Sequence, residues 1–176
     1  MSLLHHIGPD QYLALETAEQ VTREQVAEAW ERAYAELEQR LRSLGAAARL
    51  YIVFGLQGAG KSTWIAHHGA RYGDRAVFFD GPLPSRRHRQ RALQIAAQVG
   101  CAATAVWIDT PLGLARERNA GRRGLARIRD EAIQHVFDHL EAPSLDEGFS
   151  SVMLVRPDPG LGEPGPDGGA PLAVGA

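Results

Sequence analysis

The chain reads as an α/β sandwich, a short parallel sheet with helices on both faces. Three observations predict it. Apolar runs of strand length alternate with helix-patterned stretches over residues 49–156, the order that builds parallel strands through helical crossovers. The runs Leu50-Tyr51-Ile52-Val53-Phe54, Ala76-Val77-Phe78-Phe79 and Val152-Met153-Leu154-Val155 lack polar alternation, so they belong to strands buried on both faces. A glycine-rich turn, Gly55 to Gly60, joins the first run directly to a helix-compatible segment.

The elements follow in order. Residues 1–21 carry weak signals: Gly8-Pro9-Asp10 reads as a turn, and Gln11 to Gln20 as a short helix. Thr22-Arg23-Glu24-Gln25 is a capping box, with Thr22 as N-cap and Gln25 at N3. The helix it opens runs to about Leu44. Val26, Trp30, Ala33, Leu37, Leu41 and Leu44 form one apolar stripe along it. That stripe suits packing on the rest of the chain or, alternatively, a seam between two copies.

A strand over 49–54 leads to a helix over about 61–70, with Trp64 and Ile65 as core anchors; Gly69 and Gly73 end it. The next strand, 76–80, finishes in Asp80. Gly81-Pro82-Leu83-Pro84 is a rigid connection, and Ser85 is placed to cap a helix from Arg86 to Val99, closed by Gly100. A third strand covers Thr104–Asp109. Thr110 as N-cap and Pro111 at N1 open a helix to about Asn119. Gly121 and Gly124 bracket a basic loop. A helix over about 130–140 carries Ile133, Val136, Phe137 and Leu140 on one face, and a fourth strand covers 152–155. Numbering these four strands in sequence, the expected spatial order is 2-1-3-4. Residues 157–176 hold five prolines and six glycines and are expected to form a flexible tail. The expected organisation is a helical N-terminal extension (1–48), one α/β domain (49–156) and the tail (157–176).

With 176 residues, 44% hydrophobic and 23% charged, the composition is that of a globular domain. A single cysteine, Cys101, excludes an intramolecular disulfide. No apolar run reaches the length of a membrane span, and the first residues have no signal-peptide pattern. The expected location is the cytoplasm. Charge is unevenly spread: residues 1–48 hold eight acids against four arginines, whereas residues 81–130 hold ten arginines against three acids. The basic excess follows the glycine-rich turn.

That turn is Gly55-Leu56-Gln57-Gly58-Ala59-Gly60-Lys61-Ser62, with Thr63 after it. It fits G-x-x-x-x-G-K-[ST] at every fixed position, in the strand–loop–helix setting the pattern needs. Such a P-loop curls backbone N–H groups around phosphate oxygens, and the following helix points its N-terminus at the anion. Gly55, Gln57, Gly58, Ala59, Gly60 and Thr63 are therefore candidate nucleotide contacts. Lys61, the only lysine in the chain, is expected at the β- and γ-phosphates, and Ser62 at Mg²⁺. Asp80 ends a strand on the carboxyl side of the sheet, where ligands sit. Two roles are open for it: ordering Mg²⁺ or accepting a proton from an attacking hydroxyl. Arg118 and Arg122, on the helix and loop after the third strand, are placed to clamp a transferring phosphoryl group. Arg86 is a candidate for a second phosphate or the acceptor, most of its neighbours Arg87, His88, Arg89 and Arg91 are expected to be solvated, and Asp109 is expected to be structural.

The segments Gly55–Thr63, Phe79-Asp80, Arg86–Gly100, Ala105–Pro111, Arg118-Asn119-x-x-Arg122, Leu140-Glu141-x-Pro143 and Glu147-Gly148-Phe149 resemble, in this order, the small P-loop kinases. The resemblance is to the kinase domains of polynucleotide 5′-hydroxyl kinases and to small bacterial relatives of unassigned substrate, the zeta-toxin-like and AAA-type ATP-binding kinases. It implies the P-loop nucleoside triphosphate hydrolase fold, ATP and Mg²⁺ held by Lys61 and Ser62, and phosphate binding by Arg122. One departure stands out. The family fits an extra strand carrying its general base between loop and later acid, but only seventeen residues separate Ser62 from Asp80. Asp80 is similar to the family's later acid, and the usual base is missing unless Asp80 serves as one.

The leading expectation is an ATP-dependent phosphotransferase acting on a hydroxyl acceptor of unknown identity, a small molecule or a nucleic acid 5′-end, with Lys61, Asp80 and Arg122 catalytic and Ser62 and Asp80 at the metal. The alternatives are a nucleotide switch or NTPase with water as acceptor, and a nucleic-acid-binding module using the arginine-rich face. That face lacks interleaved aromatics.

Overall fold

The computed structural model describes residues 4–13 and 20–157. The expected tail from 158 onward and most of the expected helix over 11–20 lie outside them. Five parallel strands form one sheet: β1 (His5–Ile7), β2 (Arg49–Phe54), β3 (Ala76–Gly81), β4 (Ala102–Ile108) and β5 (Ser151–Val155), in spatial order β1-β3-β2-β4-β5. The four strands expected from the apolar runs keep their expected order. The correction is at the edge: His5–Ile7 adds a strand where only a helical extension was expected. Three residues, two of them histidine, are too short and too polar to register as an apolar run. Pro9–Tyr12 then forms a single 3₁₀ turn.

Helices α1 (Arg23–Leu44), α2 (Lys61–His68), α3 (Arg86–Val99), α4 (Leu112–Ala120) and α5 (Asp130–Asp138) cover the two faces. The strand period of two divides the core between them. Leu50, Ile52, Phe54, Val77 and Phe79 pack with Ala33, Leu37 and Leu41 of α1 and Ala92, Ile95 and Ala96 of α3. The intervening Tyr51, Val53 and Phe78 pack with Trp64 and Ile65 of α2, Ala115 of α4 and Ile133 of α5. The stripe on α1 therefore buries against the sheet, and its capping box is formed, with Gln25 N–H donating to Thr22 Oγ1 at 3.2 Å and Thr22 N–H to Gln25 Oε1 at 2.9 Å. Val26, at the start of the stripe, stays 38% exposed. Phe137 of α5 is 44% exposed, outside the apolar face assigned to it. No helix among the described residues is long and apolar enough to cross a membrane.

Two ion pairs anchor α3 to its neighbours, and the first corrects an expectation about its arginines. Arg89, expected to be solvated, is fully buried. Its Nε and Nη2 donate to the two carboxylate oxygens of Glu147 at 2.9 and 2.7 Å, and Nη1 reaches the carbonyls of Leu83, Pro84 and Glu141. Its guanidinium lies 4.7 Å from the Phe54 ring centre. Each of its three nitrogens has an acceptor, which is what makes a buried guanidinium tolerable. Arg91 stacks on Tyr34 and donates to Glu31 of α1 at 2.8 Å. Replacing Arg89 with Leu strands the Glu147 carboxylate and should cost about 3–5 kcal/mol in chemical denaturation. The double variant Arg89→Leu/Glu147→Leu should recover part of that loss, and additive losses would show that the pair does not act as a unit.

Candidate functional site: a phosphate-loop cleft

The loop between β2 and α2 is shaped by close backbone approaches. Gly58 has φ +83°, and a Cβ there would lie 2.4 Å from the Ala115 carbonyl oxygen. Only glycine combines that conformation with that contact. The loop is pinned from the far side through Ala59, whose carbonyl accepts from Thr110 Oγ1 at 3.0 Å and from Arg118 Nη1 at 3.3 Å. Thr110 is buried and spent on this bond, so it does not cap the next helix; Pro111 occupies the N-cap position of α4 instead.

Lys61 is half-buried and folds back over the loop, donating to the carbonyls of Gly55 at 3.1 Å and Leu56 at 2.9 Å. Burial pushes its ammonium down to about 8, against the opposing attraction of Asp80 and Asp10; Arg122 adds to the depression. Next to it, Ser62 Oγ donates to Asp80 Oδ2 at 3.1 Å. The parallel register sets Val53 level with Asp80, so the acid at the end of β3 meets the first turn of α2 across one strand spacing.

The edge strand completes this arrangement. Ile7 is level with Phe79, which brings Gly8 beside Asp80. A Cβ on Gly8 would lie 2.2 Å from Asp80 Oδ1, so a side chain there would displace the carboxylate. His6 Nε2 lies 3.1 Å from Asp80 Oδ2. Two residues on, Asp10 joins the same electrostatic cluster. Partial burial raises its carboxyl above the ordinary value, repulsion from Asp80 raises it further, and Lys61 and Arg122 pull it down.

One cleft of about 620 Å³ collects these groups, within the usual range for small-molecule sites. Gln57, Gly58, Gly60, Lys61, Ser62, Thr63, Asp80 and Arg122 all line it, together with Asp10. The other two sequence candidates stand behind the loop: Gly55 supplies a carbonyl to Lys61, and Ala59 is buried beneath it. Arg118 lies beside Gly60, its Nη1 within 3.5 Å of a Cβ built there. Arg86 is not part of the cleft. It is paired with Asp146 at 2.6 Å and with Ser144 on the outer surface, which corrects its assignment to a phosphate or acceptor. Asp109 pairs with Arg156 at 3.1 Å.

Four participants escaped the sequence reading. Gly8 and Asp10 were read as an ordinary turn, because the strand before them is too short to be seen. Trp30 was counted as stripe and core, yet it lines the cleft and packs against Gly81, where an added Cβ would come within 2.6 Å of the indole. Asn119 is buried, its side chain bridging to residue 128: Nδ2 donates to the Ile128 carbonyl at 2.6 Å and Oδ1 accepts from the Ile128 N–H at 2.9 Å. It thereby closes the base of the basic loop that carries Arg122. Its place inside Arg118-Asn119-x-x-Arg122 was the available signal.

Residues 66–143 match the family model for an AAA domain (AAA_33), beginning just after the phosphate loop. Among solved structures, the AvrRxo1-ORF1:ORF2 complex with ATP superposes with a TM-score of 0.52 at 11% identity, over 80% of this chain and 70% of that one. The same complex in its native form and with sulphate ions gives TM-scores of 0.52 at 11% identity, each over 86% of this chain and 73% of the other. These likenesses are of fold: a parallel α/β sandwich, here with the P-loop motif Gly55–Ser62 between β2 and α2. A search of curated proteins found no match.

In this cleft the mutual repulsion of Asp10 and Asp80 is directly measurable. Followed by carboxyl carbon NMR, the Asp10 titration should move down toward the ordinary aspartate value in Asp80→Asn. An unmoved midpoint would show that burial alone raises it.

Proposed function

We propose that the chain binds ATP with Mg²⁺ and transfers the γ-phosphate to a hydroxyl acceptor. The observation that carries this reading is the Ser62–Asp80 contact at 3.1 Å beside Lys61, in a cleft that Arg122 also lines. A hydroxyl and a carboxylate oxygen side by side are the hard oxygen donors Mg²⁺ prefers. The glycine-shaped loop at the start of α2 suits a polyphosphate, and the likeness to a fold solved with ATP and with sulphate accords with it.

The roles follow from position. The loop amides of Gln57–Ser62 and Thr63 would hold the phosphates, with Lys61 leaving its two carbonyls to reach the β- and γ-oxygens. Ser62 and Asp80 would hold the metal, which supplies charge neutralisation at the transferring group. Arg122, on the loop clasped by Asn119, would lie over the γ-phosphate and stabilise the charge spread across its oxygens. Arg118 would support the loop from outside through Ala59. The nucleic-acid-module reading has lost residues: Arg86, Arg89 and Arg91 are each committed to a carboxylate.

Lys61→Ala should abolish ATP binding in calorimetry. Incubation with γ-labelled ATP and a panel of 5′-hydroxyl oligonucleotides, nucleosides and small alcohols should yield a labelled ester; free phosphate alone would leave an NTPase and defeat the transferase reading.

The depressed Lys61 adds a pH signature. Its native value of about 8 lies below its ordinary 10.5, so between those values the unfolded chain holds more protons, and this group's contribution to stability rises with pH. A bound polyphosphate restores the charged form. ATP binding near pH 9 should therefore take up a proton, read as a dependence of the binding enthalpy on the buffer's ionisation enthalpy. No such dependence would place the Lys61 ammonium outside the phosphate site.

A further inference from the structure

The cleft has two unlike halves. The first is the phosphate half, made of the loop, Lys61 and Arg122. The second is contributed by the segments after the carboxyl ends of β1 and β3 and by the start of α1. Its wall is Pro9, Leu13, Val21, Val26, Trp30 and Pro82, contributed by the β1 turn, the start of α1 and the β3–α3 connection. These side chains are apolar or aromatic. The cations that line the cleft, Lys61, Arg122 and Arg129, belong to the loop and the segment after α4; none stands on this wall. The arginines closest to it in the chain, Arg23 and Arg32, do not line the cleft among the described residues, and Arg32 lies over the Tyr12 ring. A polynucleotide acceptor would need phosphate partners along its path, and the described residues that line this half include no cation.

Asp10 stands where the two halves meet. Its neighbours Asp80, Lys61 and Arg122 act on it through space, and no hydrogen bond holds its carboxylate among the described residues. Asp80 is engaged by Ser62 and approached by His6. Of the two carboxylates lining the cleft among the described residues, one is therefore committed to the serine that opens α2, and the other has no hydrogen bond there.

We propose that the acceptor is a small uncharged alcohol with an apolar or aromatic body, seated against Trp30, Val26 and Leu13 with its hydroxyl held by Asp10. This rests on the transferase reading above and supplies its missing half. In the step, the hydroxyl oxygen forms a bond to the γ-phosphorus as the bond from that phosphorus to the β–γ bridging oxygen breaks. The hydroxyl proton passes to the Asp10 carboxylate and later to water. ADP departs with the bridging electron pair, and the product is a phosphomonoester. Asp10, on the turn after the added edge strand, takes the proton that a lone Asp80 would otherwise have to accept while holding the metal.

The test is a γ-phosphate transfer assay on the full chain with benzyl alcohol, 2-phenylethanol and 3-methylbutanol set against glycerol, a hexose and a 5′-hydroxyl oligonucleotide, each scored for ester, ADP and free phosphate. The expected result is transfer to the apolar alcohols with the lowest KM. Val26→Glu, at a part-exposed position that the fold tolerates, should raise that KM about 10-fold or more, while the KM for ATP stays unchanged. Trp30→Phe should raise it less. Asp10→Asn should lower kcat about 100-fold or more without changing ATP affinity. Preferred transfer to the hexose or the oligonucleotide overturns the inference and leaves the kinase standing, as does an unchanged alcohol KM in Val26→Glu. Transfer to apolar alcohols that survives Asp10→Asn at full kcat removes Asp10 from the step. Release of free phosphate with every acceptor removes the transferase reading, and this inference with it.

Discussion

Asp80 is the point on which the molecule converges. Its carboxylate is buried where β1, β2 and β3 run side by side, and it takes a hydrogen bond from the first turn of α2. Parallel register is what makes this possible, since it delivers the ends of neighbouring strands to one level on one side of the sheet. The carboxylate is crowded by backbone as well as by side chains. Gly8 gives it room, and Gly81, the residue after it, lies flat against Trp30. A methyl group at either place would be felt at the acid itself.

The phosphate loop shows the same economy. Ala59 presents one carbonyl to two donors from different elements, Thr110 after β4 and Arg118 within α4. The loop is thus braced by the strand and helix that lead to Arg122. Movement of α4 would be transmitted to the loop through those two bonds, and Asn119 links the same helix to the far end of the basic segment. Lys61 and Arg118 are both held by loop carbonyls rather than by carboxylate hydrogen bonds.

Most of the sheet was legible because buried parallel strands are continuous apolar runs, and four of them are long enough to stand out. The loop was legible because its glycines, lysine and serine follow from phosphate geometry. What escaped did so for physical reasons. A three-residue strand gains its stability from pairing with β3, so His5–Ile7 carries almost no pattern of its own. Arg89 was read as solvated because composition treats every arginine alike; only the fold brings Glu147, fifty-eight residues away, to its side. Thr110 has the sequence of a helix cap, and its hydroxyl found a better acceptor in the loop. Asp10 combined both difficulties, being set by an invisible strand and lying far in sequence from every group it faces.

The edge position of β1 has a dynamic consequence. Short terminal strands open at a far lower free energy than the strands they flank. The portion of the cleft that owns Asp10 and Gly8 hangs on such a strand, whereas the loop portion is built on β2 and β4 at the centre. Opening of residues 5–10 would leave the loop portion standing on β2 and β4.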